Sequence, residues 1–424
     1  MTTRSRTVAV VGSGVAGLTA AHLLQRTAEV TLYEADDRLG GHAHTHDVRT
    51  GDRSVPVDSG FIVHNRRTYP LLCRLFEELG VETRPTEMSM SVRCLGCGLE
   101  YCGARGASGL FARGANAADP RFWGLLAQVP RFHARARRLL ADSASGPAPE
   151  PTLGEFLAAG RFTPYFVNHF VIPLVSAVWS CGPHLVPEYP ARYLFAFLDN
   201  HGMLTVTGSP TWRTVTGGSR TYVERIAKRL TAVRTSAPVA SVQRHEDTVT
   251  VALASGEVNE HDAVVVATHP DQALRLLADP TPAEKAVLGA FEYSRNPAVL
   301  HTDPGPLPRR ERARGSWNYL LPSCRPGPGA VQVSYDLRRL QGLDTDADVV
   351  ATLGDTQRID PGRVVASTVY EHPVYTPAAL AAQDRLGELD TGRTAFAGAY
   401  HGWGFHEDGC RAGAAAAASL GAPW

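Results

Sequence analysis

The stretch TVAVVGSGVAGLTAAHLLQRTAEVTLYEADDRLGGH, residues 7–42, decides the fold of this chain. An apolar run at 8–11 leads directly into the glycine-rich segment 12–17, and helix-favouring residues follow. This order predicts a strand, a tight turn and a helix. A second β-branched run at 30–33 ends in Glu34, at about the distance from the glycines that is typical of an acid that binds ribose hydroxyls.

The pattern indicates a bound dinucleotide. Glycine lets the backbone approach a pyrophosphate closely, and the N-terminus of a helix offers N–H donors and a favourable dipole. A chance glycine turn is disfavoured, because this one lies between a strand and a helix near the start of the chain. The residues expected to contact the cofactor are Gly12, Ser13, Gly14, Ala16, Gly17, Glu34 and Ala35.

The segment Asp37-Arg38-Leu39-Gly40-Gly41 follows the acid that is expected to bind ribose. With this extension, the stretch resembles the first flavin motif of the FAD-dependent amine oxidase and phytoene desaturase superfamily, which continues to an Arg-x-Gly-Gly. The resemblance implies bound FAD and adds four expected contacts with the cofactor: Arg38, Gly40, Gly41 and His42.

Three later segments resemble further motifs of the same superfamily. Residues 58–60 match an element that brings the backbone against the flavin, 212–218 match the point of re-entry into the FAD domain, and 398–409 match the final flavin motif. In that last motif a helix N-terminus is expected to stabilise the negative charge of reduced flavin. The resemblance also implies that the backbone of Val239 contacts the adenine. The expected cofactor contacts from these motifs are Gly60, Phe61, Ile62, Val239, Gly398, Gly404, Phe405 and His406.

The expected fold class is α/β, with a Rossmann-like, discontinuous FAD-binding domain and a mixed α+β substrate domain of the amine-oxidase type. The segments expected in the FAD-binding domain are 1–65, 211–285 and 391–424. The segments expected in the substrate domain are 66–210 and 286–390. Residues 122–204 are rich in aromatic residues, and their apolar residues recur at helical spacing. This pattern predicts a helical cap over the substrate.

Nearly the whole chain is similar to a bacterial group of NAD/FAD-binding, amine-oxidase-like proteins associated with fatty-acid modification. Segments that carry this similarity include PVDSGFIVHN (56–65), SWNYL (316–320) and FAGAYHGWGFHEDG (396–409). The similarity implies an FAD-dependent oxidoreductase that desaturates or isomerises a long apolar, fatty-acyl-like substrate by hydride transfer to flavin N5. Dioxygen would be the electron acceptor of a desaturase.

Three residues are candidates to take or relay the substrate proton: His64, Asn65 and Tyr319. For the first two, an alternative interpretation is that they cap a helix that starts near residue 69.

The principal alternative is an FAD-dependent oxidase of an amine or of a small polycyclic metabolite. Amine oxidases commonly hold a lysine near flavin N5, on the strand that corresponds to residues 297–302, whereas this chain has no lysine after Lys285. They also pair two aromatic residues as a cage. Here only Phe405 clearly lies at such a position, with Trp403 and Tyr400 as substitutes.

Two groups of residues invite a metal interpretation. His42, His44 and His46 would share one face of an extended segment, and a zinc hydrolase is a remote alternative on that ground. Cys94 and Cys97, with Cys102 nearby, could be half of a zinc ribbon or a redox pair. No second ligand pair follows at a suitable spacing, so we expect buried or turn cysteines and no bound metal.

Composition excludes other classes of function. Lys+Arg and Asp+Glu both total 42, so no net charge favours nucleic acid as a partner. The chain contains no run of about 18 apolar residues that could span a bilayer, and its first residues are polar, unlike a signal peptide. An odd number of cysteines, 7, indicates reduced thiols, so the expected location is the cytoplasm. A small-molecule or lipid-like substrate is expected, while peripheral membrane contact and the oligomeric state remain open.

Overall fold

The computed structural model describes residues 5–142, 150–205, 208–325, 327 and 331–424. Its strands are β1 (Thr7–Val11), β2 (Glu29–Tyr33), β3 (Thr45–Thr50), β4 (Arg53–Asp58), β5 (His64–Asn65), β6 (Thr83–Pro85), β7 (Met90–Cys94), β8 (Glu100–Cys102), β9 (Trp212–Val215), β10 (Ala232–Arg234), β11 (Val239–Arg244), β12 (Val249–Leu253), β13 (Val258–His261), β14 (Ala263–Val266), β15 (Glu292–His301), β16 (Trp317–Leu321), β17 (Gln332–Asp336), β18 (Val350–Gly354), β19 (Val364–Val374) and β20 (Thr394–Phe396).

Its α-helices are α1 (Val15–Leu24), α2 (Pro70–Leu79), α3 (Gly106–Leu110), α4 (Gly114–Ala118), α5 (Pro120–Asp142), α6 (Leu153–Ala159), α7 (Pro164–Phe166), α8 (Ile172–Trp179), α9 (Ala191–Asn200), α10 (Arg220–Ala227), α11 (Pro270–Leu276), α12 (Pro282–Leu288), α13 (Leu337–Gln341), α14 (Pro377–Gln383) and α15 (His406–Ser419). A π-helix, Val167–Val171, precedes α8. Short 3-10 helices cover Gly103–Arg105, Val186–Glu188, Glu311–Ala313, Pro361–Arg363, Leu386–Leu389 and Ala399–His401. Among the described helices, none combines the length and apolar character that a transmembrane span requires.

A parallel sheet of order β10-β2-β1-β14-β20 holds the opening stretch of the chain. The predicted strand, turn and helix are present as β1, residues 12–14 and α1. The middle strands are buried on both faces, since α1 and α15 cover one face and the β11–β13 sheet covers the other, and this explains their continuous apolar sequences. The α/β fold class is therefore confirmed.

A second, seven-stranded sheet has the order β19-β15-β18-β17-β16-β7-β8, in which only the β16–β7 pair is parallel. Beside it lies a helical layer, α5 to α9, with a core dense in phenylalanine. Helices therefore occupy the segment 122–204 where the sequence predicts them. The division into two domains stays a prediction.

Asp58, the last residue of β4, connects these parts. Its buried carboxylate accepts hydrogen bonds from the Thr45 hydroxyl and from the Ser219 N–H (2.9 Å) and hydroxyl (2.7 Å). Its backbone N–H donates to Oε1 of Gln341 (2.9 Å), and Nε2 of Gln341 donates to its carbonyl (2.9 Å). Asp58 thus joins the β3–β4 hairpin, the turn before α10 and the end of α13. Burial raises the pKa of its carboxyl to about 6, against the lowering effect of these hydrogen bonds.

We expect Asp58→Asn to change how stability depends on pH. Between about pH 4 and pH 6 the folded chain holds a proton on Asp58 that the unfolded chain has lost, so the stability that Asp58 contributes falls as pH rises through this window. The unfolding free energy of the wild type minus that of D58N should therefore fall by about 2 kcal/mol from pH 4 to pH 7. Urea titrations of both proteins across this range measure it.

The exposed Asp52 of the same hairpin gives the control. Asp52→Asn removes a carboxyl from the surface of this hairpin and so serves as the matched substitution. A difference between the wild type and D58N that does not vary from pH 4 to pH 7 would contradict the assignment.

Candidate active site

A cavity of about 660 Å³ extends from the parallel sheet to the aromatic residues of the helical layer. The segments that follow β1, β2, β14 and β20 all contribute to its wall. The carboxyl ends of neighbouring parallel strands meet at one edge of a sheet, which is where ligands of such folds bind. One end of the cavity thus has the position expected of a dinucleotide site.

The glycine turn has the shape that a pyrophosphate requires. Gly12 has φ +100°, and a Cβ there would lie 2.7 Å from the Ala267 carbonyl oxygen. A Cβ on Gly17 would collide with the carbonyl oxygen of Gly12, so α1 can start directly behind the turn only with glycine here. Around Gly14, by contrast, no protein atom lies within 4 Å of a Cβ position, and no side chain caps α1. The N-terminus of α1 therefore opens onto free space in the cavity wall.

Glu34 lies at the end of β2, beside this turn. Its carboxylate accepts hydrogen bonds from the Ser13 N–H (2.9 Å), the Ser13 hydroxyl and the Asp36 N–H (3.0 Å). These contacts fix the acid on the cavity wall at the position expected for ribose recognition.

A second helix N-terminus, that of α15, reaches the same cavity. Asp408 accepts the N–H of Phe405 (3.0 Å) and so closes the first turn. The rings of His406 and Phe61 stack with centroids 3.7 Å apart, and both residues line the cavity. Burial lowers the pKa of His406 to about 3, so its imidazole is neutral at pH 7. The donors and dipole that would stabilise a reduced flavin are present here.

The three histidines considered as metal ligands are arranged differently from the expectation. His42 is stacked on Tyr370, and burial, followed by the neighbouring His372, lowers its pKa well below the usual value. His46 shares a hydrogen bond with the Ser59 hydroxyl (2.9 Å), and its ring contacts that of His44. Within the described part of the chain, these rings do not assemble into a group that could hold a metal ion. The geometry gives the zinc-hydrolase alternative no support.

Most of the cofactor contacts predicted from sequence line the cavity: Gly12, Ser13, Gly14, Ala16, Glu34, Ala35, Gly41, His42, Gly60, Phe61, Ile62, Val239, Gly398, Gly404, Phe405 and His406. Gly17, Arg38 and Gly40 do not line it. The Gly40 N–H donates to the Ser13 carbonyl (3.2 Å), and Arg38 donates to the Gly41 carbonyl (2.8 Å). These residues support the backbone around the glycine turn without lining the cavity.

The three candidates for proton transfer, His64, Asn65 and Tyr319, are buried and do not line the cavity. Oδ1 of Asn65 accepts the N–H of Arg67 (3.0 Å) and of Thr68 (2.9 Å), which organises the turn before α2. The helix itself begins at Pro70 without a side-chain cap, so Asn65 does not cap it as the alternative interpretation expected.

The other two candidates are held by packing. The His64 ring packs edge-on against Phe76, and burial lowers its pKa to about 4. Tyr319 lies in an apolar cluster, and burial raises its pKa. A catalytic role for the three residues stays a prediction.

Several cavity residues were not predicted. Thr268 and His269 follow β14, and the rule that ligands bind at the carboxyl ends of parallel strands could have found them. Trp179, His201 and Tyr370 line the cavity from segments distant in sequence, and no local pattern marks them.

Comparison with known proteins identifies the family. The sequence profile of flavin-containing amine oxidoreductases matches residues 15–420. The chain belongs to this family. A flavin-containing monoamine oxidase from Mycobacterium tuberculosis is 30% identical over 295 residues, which is 64% of this chain and 59% of that protein. The chain thus spans less than two thirds of that relative's length.

Solved structures share the fold of this chain. A putrescine oxidase variant superimposes with a TM-score of 0.69 at 16% identity, covering 97% of this chain and 98% of the other. A fatty acid isomerase from P. acnes, described as producing CLA, superimposes with a TM-score of 0.67 at 15% identity and the same coverage. The family match confirms the predicted superfamily, the oxidoreductase class and the FAD cofactor, for which the cavity provides a fitting cradle.

We expect Gly14→Ala to block FAD without disturbing the fold. Gly14 has φ −62° and ψ 173°, which alanine adopts readily, and the added methyl group would meet only the space left for the pyrophosphate. The apoprotein should keep its thermal midpoint within about 2 °C, while FAD affinity should fall at least about tenfold. Calorimetry and fluorescence titration of apoprotein with FAD measure the two quantities.

Gly114→Ala is the matched control, because a Cβ at Gly114 also meets no atom within 4 Å but lies outside the cavity wall. It should bind FAD as the wild type does. Unchanged FAD affinity in G14A would place the pyrophosphate elsewhere.

Proposed function

We propose that this flavoenzyme desaturates or isomerises a long apolar, fatty-acyl-like substrate. The observation that carries the proposal is the chemistry of the cavity walls beyond the cofactor end. The cap wall consists of Ala177, Val178, Trp179, Ser180, Phe197, His201 and Met203. The sheet wall consists of Met88 and of the residues that β16, β17 and β18 contribute, Trp317, Tyr335 and Leu353. Glu371 of β19 also lines the cavity, and its carboxylate lies 3.3 Å from Nδ1 of His269 and 3.4 Å from Nε of Arg295.

None of the described residues named for these two walls is charged at pH 7. They include no lysine, arginine or carboxylate, and burial lowers the pKa of their one histidine, His201, to about 4. A cationic substrate would lose its hydration here without gaining a counter-ion, whereas an alkyl chain would be stabilised by leaving water. The walls thus favour an apolar substrate over a charged one.

His201 supplies a candidate proton acceptor on the cap wall. Its Nδ1 donates to the Phe197 carbonyl (3.0 Å), so in the neutral ring Nε2 carries the free lone pair. The ring stacks on Phe197, with centroids 4.0 Å apart, and this packing fixes its orientation. Because it is neutral at pH 7, His201 can accept a proton without first losing one.

Bound FAD would supply a hydride acceptor at N5 and, once reduced, could return the hydride in an isomerisation or pass electrons to dioxygen in a desaturation. The chain's own residues would hold an acyl chain between the cap wall and the sheet wall, exclude water from it, and receive its proton at Nε2 of His201.

An amine oxidase is the second candidate function. It is favoured by the relative named as a monoamine oxidase and by Phe405 and Trp403, which line the cavity as aromatic surfaces for an amine. Phe405 itself stacks on Phe197 with centroids 4.7 Å apart, so one of its faces is already covered.

Anaerobic mixing of the yellow holoenzyme with substrates distinguishes the two. We expect unsaturated or methyl-branched fatty acyl compounds to bleach the flavin, at least transiently, or to yield an isomerised product detected by mass spectrometry. Primary amines should leave the flavin oxidised. Hydrogen peroxide released with amines and not with lipids would overturn the proposal.

Met203→Glu tests the apolar cap wall directly. Met203 is half-buried on that wall, so the new carboxylate should raise KM for a fatty acyl substrate at least about tenfold, while FAD content stays unchanged. Met203→Leu, which keeps the apolar character, should change KM less than about threefold. A lower KM for an amine in M203E would instead support the second candidate.

A further inference from the structure

Three cysteines and a histidine converge outside the cavity wall. Cys94 and Cys97 flank the turn between β7 and β8, Cys324 follows β16, and His169 lies in the π-helix Val167–Val171. Their sulfur and nitrogen atoms all lie within 4.8 Å of one another. All three thiols are free, so no disulfide explains the approach.

The separations between these atoms match tetrahedral coordination. Sγ of Cys94 lies 3.7 Å from Sγ of Cys324, and Sγ of Cys97 lies 3.7 Å from Nε2 of His169. Zinc bonds of about 2.3 Å to sulfur and 2.0 Å to nitrogen would separate ligands at tetrahedral angles by about 3.8 Å and 3.5 Å respectively.

Hydrogen bonds outside the cluster orient its members. Nδ1 of His169 donates to the Tyr165 carbonyl (3.0 Å), which directs the lone pair of Nε2 towards the sulfurs. Nδ2 of Asn168 donates to the Cys324 carbonyl (3.0 Å), and Arg113 donates to the Cys97 carbonyl (3.3 Å).

The backbone between the two nearby cysteines is a tight turn. The Gly98 N–H donates to the Cys94 carbonyl (2.9 Å). A Cβ at Gly96 would lie 2.9 Å from the backbone nitrogen of Cys324, so glycine allows the turn to press against that loop. The turn and the loop therefore pack directly against each other.

The π-helix places His169 opposite this turn. Pro173 has no N–H to donate to the carbonyl of His169 four residues earlier, and the Tyr101 hydroxyl donates to that carbonyl instead (2.8 Å). Departure from α-helical geometry at this point is thereby stabilised.

We propose that Cys94, Cys97, His169 and Cys324 bind one structural zinc ion. Three thiolates and one imidazole are a donor set that zinc prefers, and four protein ligands leave no open position for substrate or water. This proposal differs from the expectation of no bound metal, which considered only a second ligand pair close in sequence to Cys94 and Cys97. Cys97 and His169 are 72 positions apart and Cys94 and Cys324 are 230 positions apart.

The zinc ion would connect the two substrate walls. The helix that carries His169 continues into α8, and Ala177 of the cap wall follows eight residues later, about 12 Å along the axis. Cys324 follows β16, which begins at Trp317 of the sheet wall. Zinc would thus hold the cap wall against the sheet wall and leave the FAD end untouched.

Elemental analysis of the full-length holoenzyme, expressed with zinc and iron in the medium and dialysed against EDTA, tests the site. We expect one zinc per chain. Cys97→Ser and Cys324→Ser should each lower bound zinc at least tenfold and lower the thermal midpoint, with FAD content per folded chain unchanged. Cys73→Ser, at a similarly half-buried thiol on α2, should keep one zinc per chain.

Cobalt exchange into the wild-type protein gives a second measurement that does not depend on the variants folding. Tetrahedral thiolate coordination should produce cobalt absorption bands in the red, where oxidised flavin does not absorb. Wild-type protein with less than one tenth of a zinc per chain, with iron in place of zinc, with a Cys94–Cys324 disulfide, or without these cobalt bands would overturn the proposal.

Discussion

The close packing of α1 against α15 is the constraint on which the cofactor end of the molecule depends. A Cβ at Gly413 would collide with the carbonyl oxygen of Ala16, and one at Gly409 would lie 2.6 Å from a methyl group of Val15. The first and last long helices can therefore approach almost backbone to backbone. Their amino ends open on the same cavity, one beside the glycine turn and one beside the ring of His406. A single negatively charged, elongated ligand can then be stabilised at two separate points.

Much of this end could be predicted because its signals are local. Residues 7–42 carry the strand, turn, helix and acid in one continuous stretch, and each residue type follows from what the backbone must do there: Gly12 for its positive φ, Gly14 for open space. The motif at 398–409 is equally compact. Gly17, Arg38 and Gly40, which the sequence also predicts as contacts of the cofactor, support the shape of the turn and do not line the cavity.

The substrate end and the cysteine cluster could not be predicted in the same way, because they are assembled by tertiary packing. His64 and Asn65 follow a recognisable motif, yet the chain turns them into the protein interior, while His201 reaches the wall from a helix with no motif. Likewise, Cys94 and Cys97 lie close together in sequence. Cys324 meets them through the pairing of β16 with β7, and His169 meets them only after the helical layer docks on the seven-stranded sheet. Periodicity predicts that these segments are helix and strand, but not which side chains will meet.

The π-helix at Val167–Val171 has a consequence for divergence within the family. A π-turn holds one residue more than an α-turn, so deleting a single residue there would restore a regular helix with the flanking turns still in phase. Only the residues within the π-turn, His169 among them, would change direction. Deletion of one codon would then be enough to move His169 away from the cysteines, and the hydrophobic packing of the helix could adjust locally. Among homologous enzymes, the histidine, Pro173 and the three cysteines should accordingly be gained or lost as a set, independently of the glycine turn that binds FAD.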